Sequence, residues 1–382
     1  MRKIPESDID KERYTMQKEL GIIALESASK MGNRVNEILS EWRGRWKNFL
    51  IPCECPRFGS GEGKGIVSES VRDRDIYILV DVLNNSLTYK MDGESNRMSP
   101  DDNYMDLKRV IAACNGKAAR INVVMPFLYE GRQHRKTTRE SLDCALMLRE
   151  LECMGVHEII TFDAHDPRMQ NTVPLHGVEN ISPALQFTQA LLTEYEDIKL
   201  DGDHLMIIAP DEGATERAIF LASLYGVNIG MFYKRRDYTT IVDGSNPIVA
   251  HDFCGNSVAG MDVIVTDDMI SSGRSMLDVT RQLKAMYANR IFIFSTFGLF
   301  TNGMEKFDKA YERHEFDRIF TTNLTYQKPG LLEREYYISV NMNRYVAAII
   351  DTMNKGETLS ELVKPAGRIK KVIDIYRKKY DE

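Results

Sequence analysis

The segment 263–275 constrains the chain more than any other. Val263, Ile264, Val265 and Thr266 run straight into Asp267 and Asp268; Ser271, Ser272, Gly273, Arg274 and Ser275 follow, and then Met276, Val279 and Leu283 are spaced for one helical face. A strand with no polar alternation must be covered on both faces, which calls for helices above and below a parallel sheet. At the helix start, unsatisfied backbone N–H groups and the positive end of the helix dipole make a cradle for phosphate. Two carboxylates beside such a cradle suit ribose hydroxyls or a hydrated divalent cation. A phosphorylated sugar fits these features, and an acidic turn that only caps a helix is the plainer alternative.

The same design recurs. Apolar runs at 22–25, 76–82, 121–126, 159–162, 205–209, 230–233 and 291–297 read as further strands, mostly with helical stretches between them. One of these stretches, 141–154, ends at Gly155 in the manner of a helix C-cap. The fold class expected is α/β, with mainly parallel sheets covered by helices. A length of 382 residues exceeds a usual single core, so two domains are expected. Residues 90–102, rich in Gly, Ser, Asn, Asp and Pro, read as a surface insertion.

Composition narrows the function classes. A net charge of −6 and a pI near 5.8 give no electrostatic reason to expect nucleic acid. Apolar stretches are too short to span a membrane and the amino terminus is too polar for a signal peptide, so a cytoplasmic protein is expected. Six cysteines, at 53, 55, 114, 144, 153 and 254, are too sparse for a disulfide framework, and Cys53 and Cys55 lack a second pair at zinc-ligand spacing.

Four polar clusters stand at or near strand ends. Arg132, Gln133, His134, Arg135 and Lys136 offer cations for a polyphosphate. Asp163 and His165 follow the run 159–162 as a possible metal and phosphate partner, and Asp211, Glu212 and Gly213 follow 205–209. Lys234, Arg235 and Arg236 end the run 230–233. Two cationic clusters, two acidic ones and a phosphate cradle together describe a site for two phosphorylated ligands and magnesium, the inventory of phosphoryl or pyrophosphoryl transfer.

From about residue 20 to 363, these ordered motifs resemble the ribose-phosphate pyrophosphokinase family. The resemblance implies two phosphoribosyltransferase-like α/β domains: an extension at 1–17, an ATP-side domain at 18–180 joined by residues 338–363, a second domain at 181–337 and a tail at 364–382. It implies that Phe58, Ser60 and Glu62 lie on a loop reaching a neighbouring subunit's ATP. Arg132, Gln133, Arg135, Lys136 and His165 would bind ATP on this subunit, and His165 and Asp211 would hold Mg2+. Asp211, Asp267, Asp268, Ser271, Ser272, Gly273, Arg274 and Ser275 would bind ribose 5-phosphate. Lys234 and Arg236 would be catalytic, at the start of a closing loop. A homo-oligomer with an active site completed by a neighbour is implied, with ATP and ribose 5-phosphate as small-molecule partners and neither nucleic acid nor membrane.

Several positions depart from the family pattern. Ser271 and Ser272 stand where an Asp and a Thr are usual, Arg274 where a Gly is usual, His134 in place of an acid, and Ser60 in place of Asn or Asp. The serines still offer hydroxyl donors to phosphate. The reaction implied is pyrophosphoryl transfer from ATP to the anomeric hydroxyl of ribose 5-phosphate. The alternatives are a catalytically silent regulatory subunit of the same build, a phosphoribosyltransferase, or a synthetase for another sugar phosphate.

Overall fold

The computed structural model describes residues 17–44, 47–236 and 248–380. The chain divides into two compact units. The first holds the chain up to Thr161, Asp166–Asn180 and Asn343–Leu362; the second holds Phe162–His165, Ile181–Met342 and the chain from Val363.

In the first unit, strand β1 (Leu20–Ala24) leads to helix α1 (Ser29–Arg43), then to β2 (Cys53–Glu54), β3 (Ile66–Val67), β4 (Asp75–Leu79), β5 (Thr88–Met91) and β6 (Glu94–Arg97). Helix α2 (Pro100–Ala113), β7 (Arg120–Val124), α3 (Asp143–Cys153), β8 (Glu158–Phe162) and β9 (Gly177–Ile181) follow. The main sheet has the order β1-β4-β7-β8-β9, with β1, β4, β7 and β8 parallel. Every residue of β4 is buried, as a strand covered on both faces requires.

The stretch 90–102 lies on the surface, as its composition suggests, and it is regular. Strands β5 and β6 pair antiparallel across Asp92 and Gly93, both at positive φ, 53° and 82°. Asp-Gly is a two-residue hairpin turn with the handedness that matches strand twist. Ser99 then opens α2: its hydroxyl accepts from the Asp102 N–H at 3.1 Å, and the Asp102 carboxylate accepts from the Ser99 N–H at 2.9 Å. The residues that resembled loop are a turn and a reciprocal capping box.

The second unit is built from α4 (Ala184–Glu194), β10 (Leu205–Ala209), α5 (Thr215–Tyr225), β11 (Asn228–Arg236), β12 (Ile248–Cys254), β13 (Asp262–Ile270), α6 (Arg274–Ala285), β14 (Ile291–Gly298), α7 (Glu305–Glu312), β15 (Arg318–Thr322) and β16 (Tyr337–Val340). Its sheet runs β12-β11-β10-β13-β14-β15-β16, parallel except for the β11–β12 ribbon. Along β10, Met206 and Ile208 join one buried cluster while Leu205, Ile207 and Ala209 join another. That alternation covers both faces of the sheet, the α/β architecture expected.

Beyond β16 the chain crosses between units. Helix α8 (Asn343–Asn354) belongs to the first, where Asp351 pairs with Arg43 at 2.6 Å. The strand Tyr337–Val340 itself lies in the second unit, because it pairs with β15. Helix α9 (Ala366–Tyr380) returns to the second unit rather than trailing away: Ile369 and Ile373 are buried, and the Tyr376 hydroxyl donates to the carbonyls of Glu196 and Ile198, each at 2.9 Å. Its positions 369, 373 and 376 follow the spacing of one helical face. Among the described residues, no helix is long and apolar enough to cross a membrane.

Candidate active site

Strand β13 runs through the acid pair instead of stopping before it. Asp267 pairs in register with Ser295 and Met269 with Phe297, because β14 continues to Gly298 and supplies partners that far. The acids are therefore held by a sheet rather than by a loop. Asp268 is nearly inaccessible, at 5% side-chain exposure, and Asp267 keeps 25%.

The residues just past β8, Asp163–His165, which are counted with the second unit, and those just past β10 deliver their partners. Past β8, Asp163 takes the left-handed conformation, φ 42°, which Asp tolerates better than most residues. One of its carboxylate oxygens accepts from Arg217 Nε at 2.7 Å, and the other from the Thr296 hydroxyl at 2.6 Å. His165 Nδ1 lies 2.7 Å from Asp268 Oδ2. Arg217 Nη1 comes within 4.0 Å of Asp267 Oδ1. Asp211, just past β10, is near enough to raise the Asp267 pKa through charge repulsion.

The resulting electrostatics separate the two acids. Burial, and then the adjacent Asp268, push Asp267 well above the ordinary carboxylate range. Burial works against charge on Asp268 as well, yet the hydrogen bond from His165 and the charge of Arg217 outweigh it and hold Asp268 below that range. Burial also opposes the charge on Arg217, and Asp163 followed by Asp268 keeps it protonated. Four carboxylates, Asp163, Asp211, Asp267 and Asp268, thus face one arginine and one histidine.

A cluster of carboxyl oxygens is the donor type a hard divalent cation prefers. Among the described residues, no group of three or more His, Cys, Asp or Glu forms a closed metal cage. Mg2+ does not need one, since it is typically held by one or two carboxylates, substrate phosphates and retained water. The residues fit Mg2+ in that open manner, with Asp211 offering a carboxylate and His165 oriented through its Nδ1 by Asp268, the arrangement a metal-binding imidazole commonly has.

The phosphate cradle follows on the same chain segment. Gly273 sits at φ 76°, and a Cβ there would lie 2.1 Å from the Phe307 ring, so only glycine fits this turn. Gly273 begins α6 and has no side chain to cap it; the Arg274 N–H makes a long, 3.5 Å contact with the Ser272 hydroxyl, and the remaining first-turn N–H groups face a ligand position. The Ser271 carbonyl accepts from Thr301 N–H at 2.9 Å, and the Ser271 hydroxyl is 3.4 Å from that of Thr301. Ser272 is partly buried, while Arg274 and Ser275 are exposed.

Apart from His165, the residues expected on the ATP side lie in the first unit. Arg132, Arg135 and Lys136 are exposed on the turn after β7, and the Gln133 side-chain amide braces that turn by donating to the Ser141 carbonyl at 2.8 Å. His134 Nε2 is 3.3 Å from Asp166, whose pKa falls to about 2, chiefly through its hydrogen bond from Arg168. Phe58, Ser60 and Glu62 share a closed loop in which the Phe58 N–H donates to the Glu62 carbonyl at 2.7 Å and the Ser60 hydroxyl to the Glu62 carboxylate at 2.8 Å. Lys234 and Arg236 belong to the backbone of β11; their side chains, and residues 237–247, lie outside the described residues.

The family resemblance groups Arg217 with the 211–213 segment, but its contact with Asp163, and the part played by Thr296, arise only from the tertiary structure. Arg217 follows the acid cluster at 211–212 in one helical turn of α5, and that spacing was the available signal. Thr296 lies in an unbroken apolar strand and carries no signal of its own.

A parallel sheet with an acid pair leading to a glycine-started, phosphate-competent helix defines an α/β protein of the phosphoribosyltransferase-like class. Residues 179–332 match the model of the phosphoribosyl transferase domain, and residues 20–155 match the N-terminal domain of ribose phosphate pyrophosphokinase. The chain belongs to the ribose-phosphate pyrophosphokinase family. A ribose-phosphate pyrophosphokinase of Mycoplasma genitalium is 26% identical over 274 residues, covering 70% of this chain and 74% of the relative. One from Vibrio parahaemolyticus is 24% identical over 336 residues, covering 87% and 97%. The solved phosphoribosylpyrophosphate synthetase of Mycobacterium smegmatis has the same fold, with a TM-score of 0.70 at 20% identity over 89% of this chain and 100% of that one.

Proposed function

We propose that this protein transfers the pyrophosphoryl group of ATP to the anomeric hydroxyl of ribose 5-phosphate, giving phosphoribosyl pyrophosphate and AMP. The observation that carries this reading is the continuity of the acid pair on β13 with the Gly273-started helix, which provides hydroxyl acceptors and a phosphate cradle on one rigid segment. A phosphoribosyltransferase reading has less support, since residues 20–155 match a domain described for the pyrophosphokinase.

In the proposed reaction the anomeric oxygen attacks the β-phosphorus in line. A new bond forms from the anomeric oxygen to the β-phosphorus, the bond from the β-phosphorus to the α–β bridging oxygen breaks, that oxygen leaves with AMP, and the hydroxyl proton is released to solvent. The N–H groups of Gly273, Arg274 and Ser275 and the hydroxyls of Ser271, Ser272 and Ser275 hold the 5-phosphate, with Arg274 adding charge. Ionised Asp268, locked by His165, accepts from a ribose hydroxyl and fixes the sugar's orientation. Asp267, inclined to keep its proton in the ligand-free protein, donates or accepts as charge at the site changes. Bound Mg2+ would neutralise triphosphate charge, and Asp211 and His165 would hold it, directly or through water. Phe58, Ser60, Glu62, Arg132, Arg135 and Lys136 serve ATP, in an oligomer whose sites are completed by a neighbouring subunit.

Lys234 and Arg236 neutralise charge on the transferring group. Removing either costs about 3 kcal/mol in barrier, roughly two decades in rate. Steady-state assay of Lys234→Ala with ATP and ribose 5-phosphate tests the assignment, and near-normal turnover would end it.

A further inference from the structure

The β5–β6 hairpin lies against the loop that carries Phe58. The Asp92 N–H donates to the Gly59 carbonyl at 2.9 Å, and a Cβ built at Gly61 would stand 2.8 Å from Met91 Sδ. Below the loop, Arg57 is clamped by Asp106 through two hydrogen bonds, 2.7 and 2.9 Å, and its guanidinium lies 5.3 Å from the centre of the Tyr89 ring on β5. The Gly61 N–H closes the loop onto the Phe58 carbonyl at 2.9 Å. Yet Phe58 itself is 54% exposed, an aromatic face held out on a braced turn.

We propose that the hairpin 88–97 is a positioning device: Met91 and the Asp92 amide fix the 58–62 loop so that Phe58 is pre-set for the base of ATP. This rests on the reading that the 58–62 loop contacts ATP. A loop ordered before binding does not have to be ordered by the ligand, so its bracing shows as affinity rather than as rate. Met91 is itself partly exposed, at 36%, so truncating it removes the brace without emptying a core.

The test compares wild type with Met91→Ala, Met91→Leu as the conservative rescue, and Asp92→Gly, which keeps the N–H and suits the positive φ. Met91→Ala should raise the KM for ATP about tenfold while kcat and the KM for ribose 5-phosphate stay within about twofold, with Met91→Leu and Asp92→Gly near wild type. Amide hydrogen exchange across 58–62, measured without substrates, should quicken in Met91→Ala alone. Unchanged exchange, or faster exchange with an unchanged KM for ATP, overturns the proposal. A wild type that makes no phosphoribosyl pyrophosphate would instead defeat the underlying reading, and the exchange measurement would still decide whether the hairpin braces the loop.

Discussion

His165 Nδ1 lies 2.7 Å from Asp268 Oδ2, which joins two motifs 103 residues apart into one hydrogen-bonded pair. The carboxylate fixes the orientation of the imidazole, and the imidazole keeps the carboxylate charged in a site where burial opposes charge. Truncating one member leaves the other buried and mis-set. His165→Ala should therefore lower kcat/KM about 10- to 100-fold without unfolding the protein. Steady-state kinetics beside a melting curve checks this, and a loss of fold in place of a loss of rate would contradict it.

Asp267 carries the opposite perturbation, and its sign can be followed through pH. An unfolded Asp titrates near pH 4, whereas burial and Asp268 hold the folded Asp267 well above that. The folded state binds this proton more tightly, so stability is lost as pH rises from about 4 toward the folded value. Asp267→Asn removes the penalty and should raise stability near pH 7 by about 1 kcal/mol, with the gain fading toward pH 4 and turnover collapsing throughout. Denaturant melts at several pH values decide it, and a difference constant with pH would count against the assignment.

Gly273 meets two separate constraints, a φ of 76° and the Phe307 ring 2.1 Å from where a Cβ would stand. Gly273→Ala should cost about 2 kcal/mol of stability and raise the KM for ribose 5-phosphate more than that for ATP. Equal effects on both KM values would indicate a general disturbance and not a phosphate cradle.

Much of this fold was legible because buried parallel strands have a direct sequence signature, and 205–209 and 159–162 occur in the structure nearly as read. Other features were misread for identifiable reasons. Asp92-Gly93 and Ser99-Pro100 look like loop composition, and only their pairing with β-strand and helix neighbours makes them a turn and a cap. Asp267 and Asp268 looked like a strand end because polarity changes there, but strand length is set by the partner, and β14 runs on to Gly298. The joining of Asp163 to Arg217 and of His165 to Asp268 is a tertiary event that no local pattern encodes.

The metal prediction follows from the open donor set. With no closed cage of three ligands among the described residues, chelation should leave the melting temperature of the substrate-free protein unchanged while abolishing turnover. Calorimetry with and without a chelator, paired with an activity assay, tests it. A large drop in melting temperature on chelation would reveal a structural metal instead.

The most direct measurement is a phosphorus NMR time course of the protein with ATP, Mg2+ and ribose 5-phosphate. AMP and phosphoribosyl pyrophosphate should form in equal amounts, with the diphosphate attached at C1. Formation of ADP and a singly phosphorylated C1, release of free pyrophosphate, or no consumption of ATP would contradict the account.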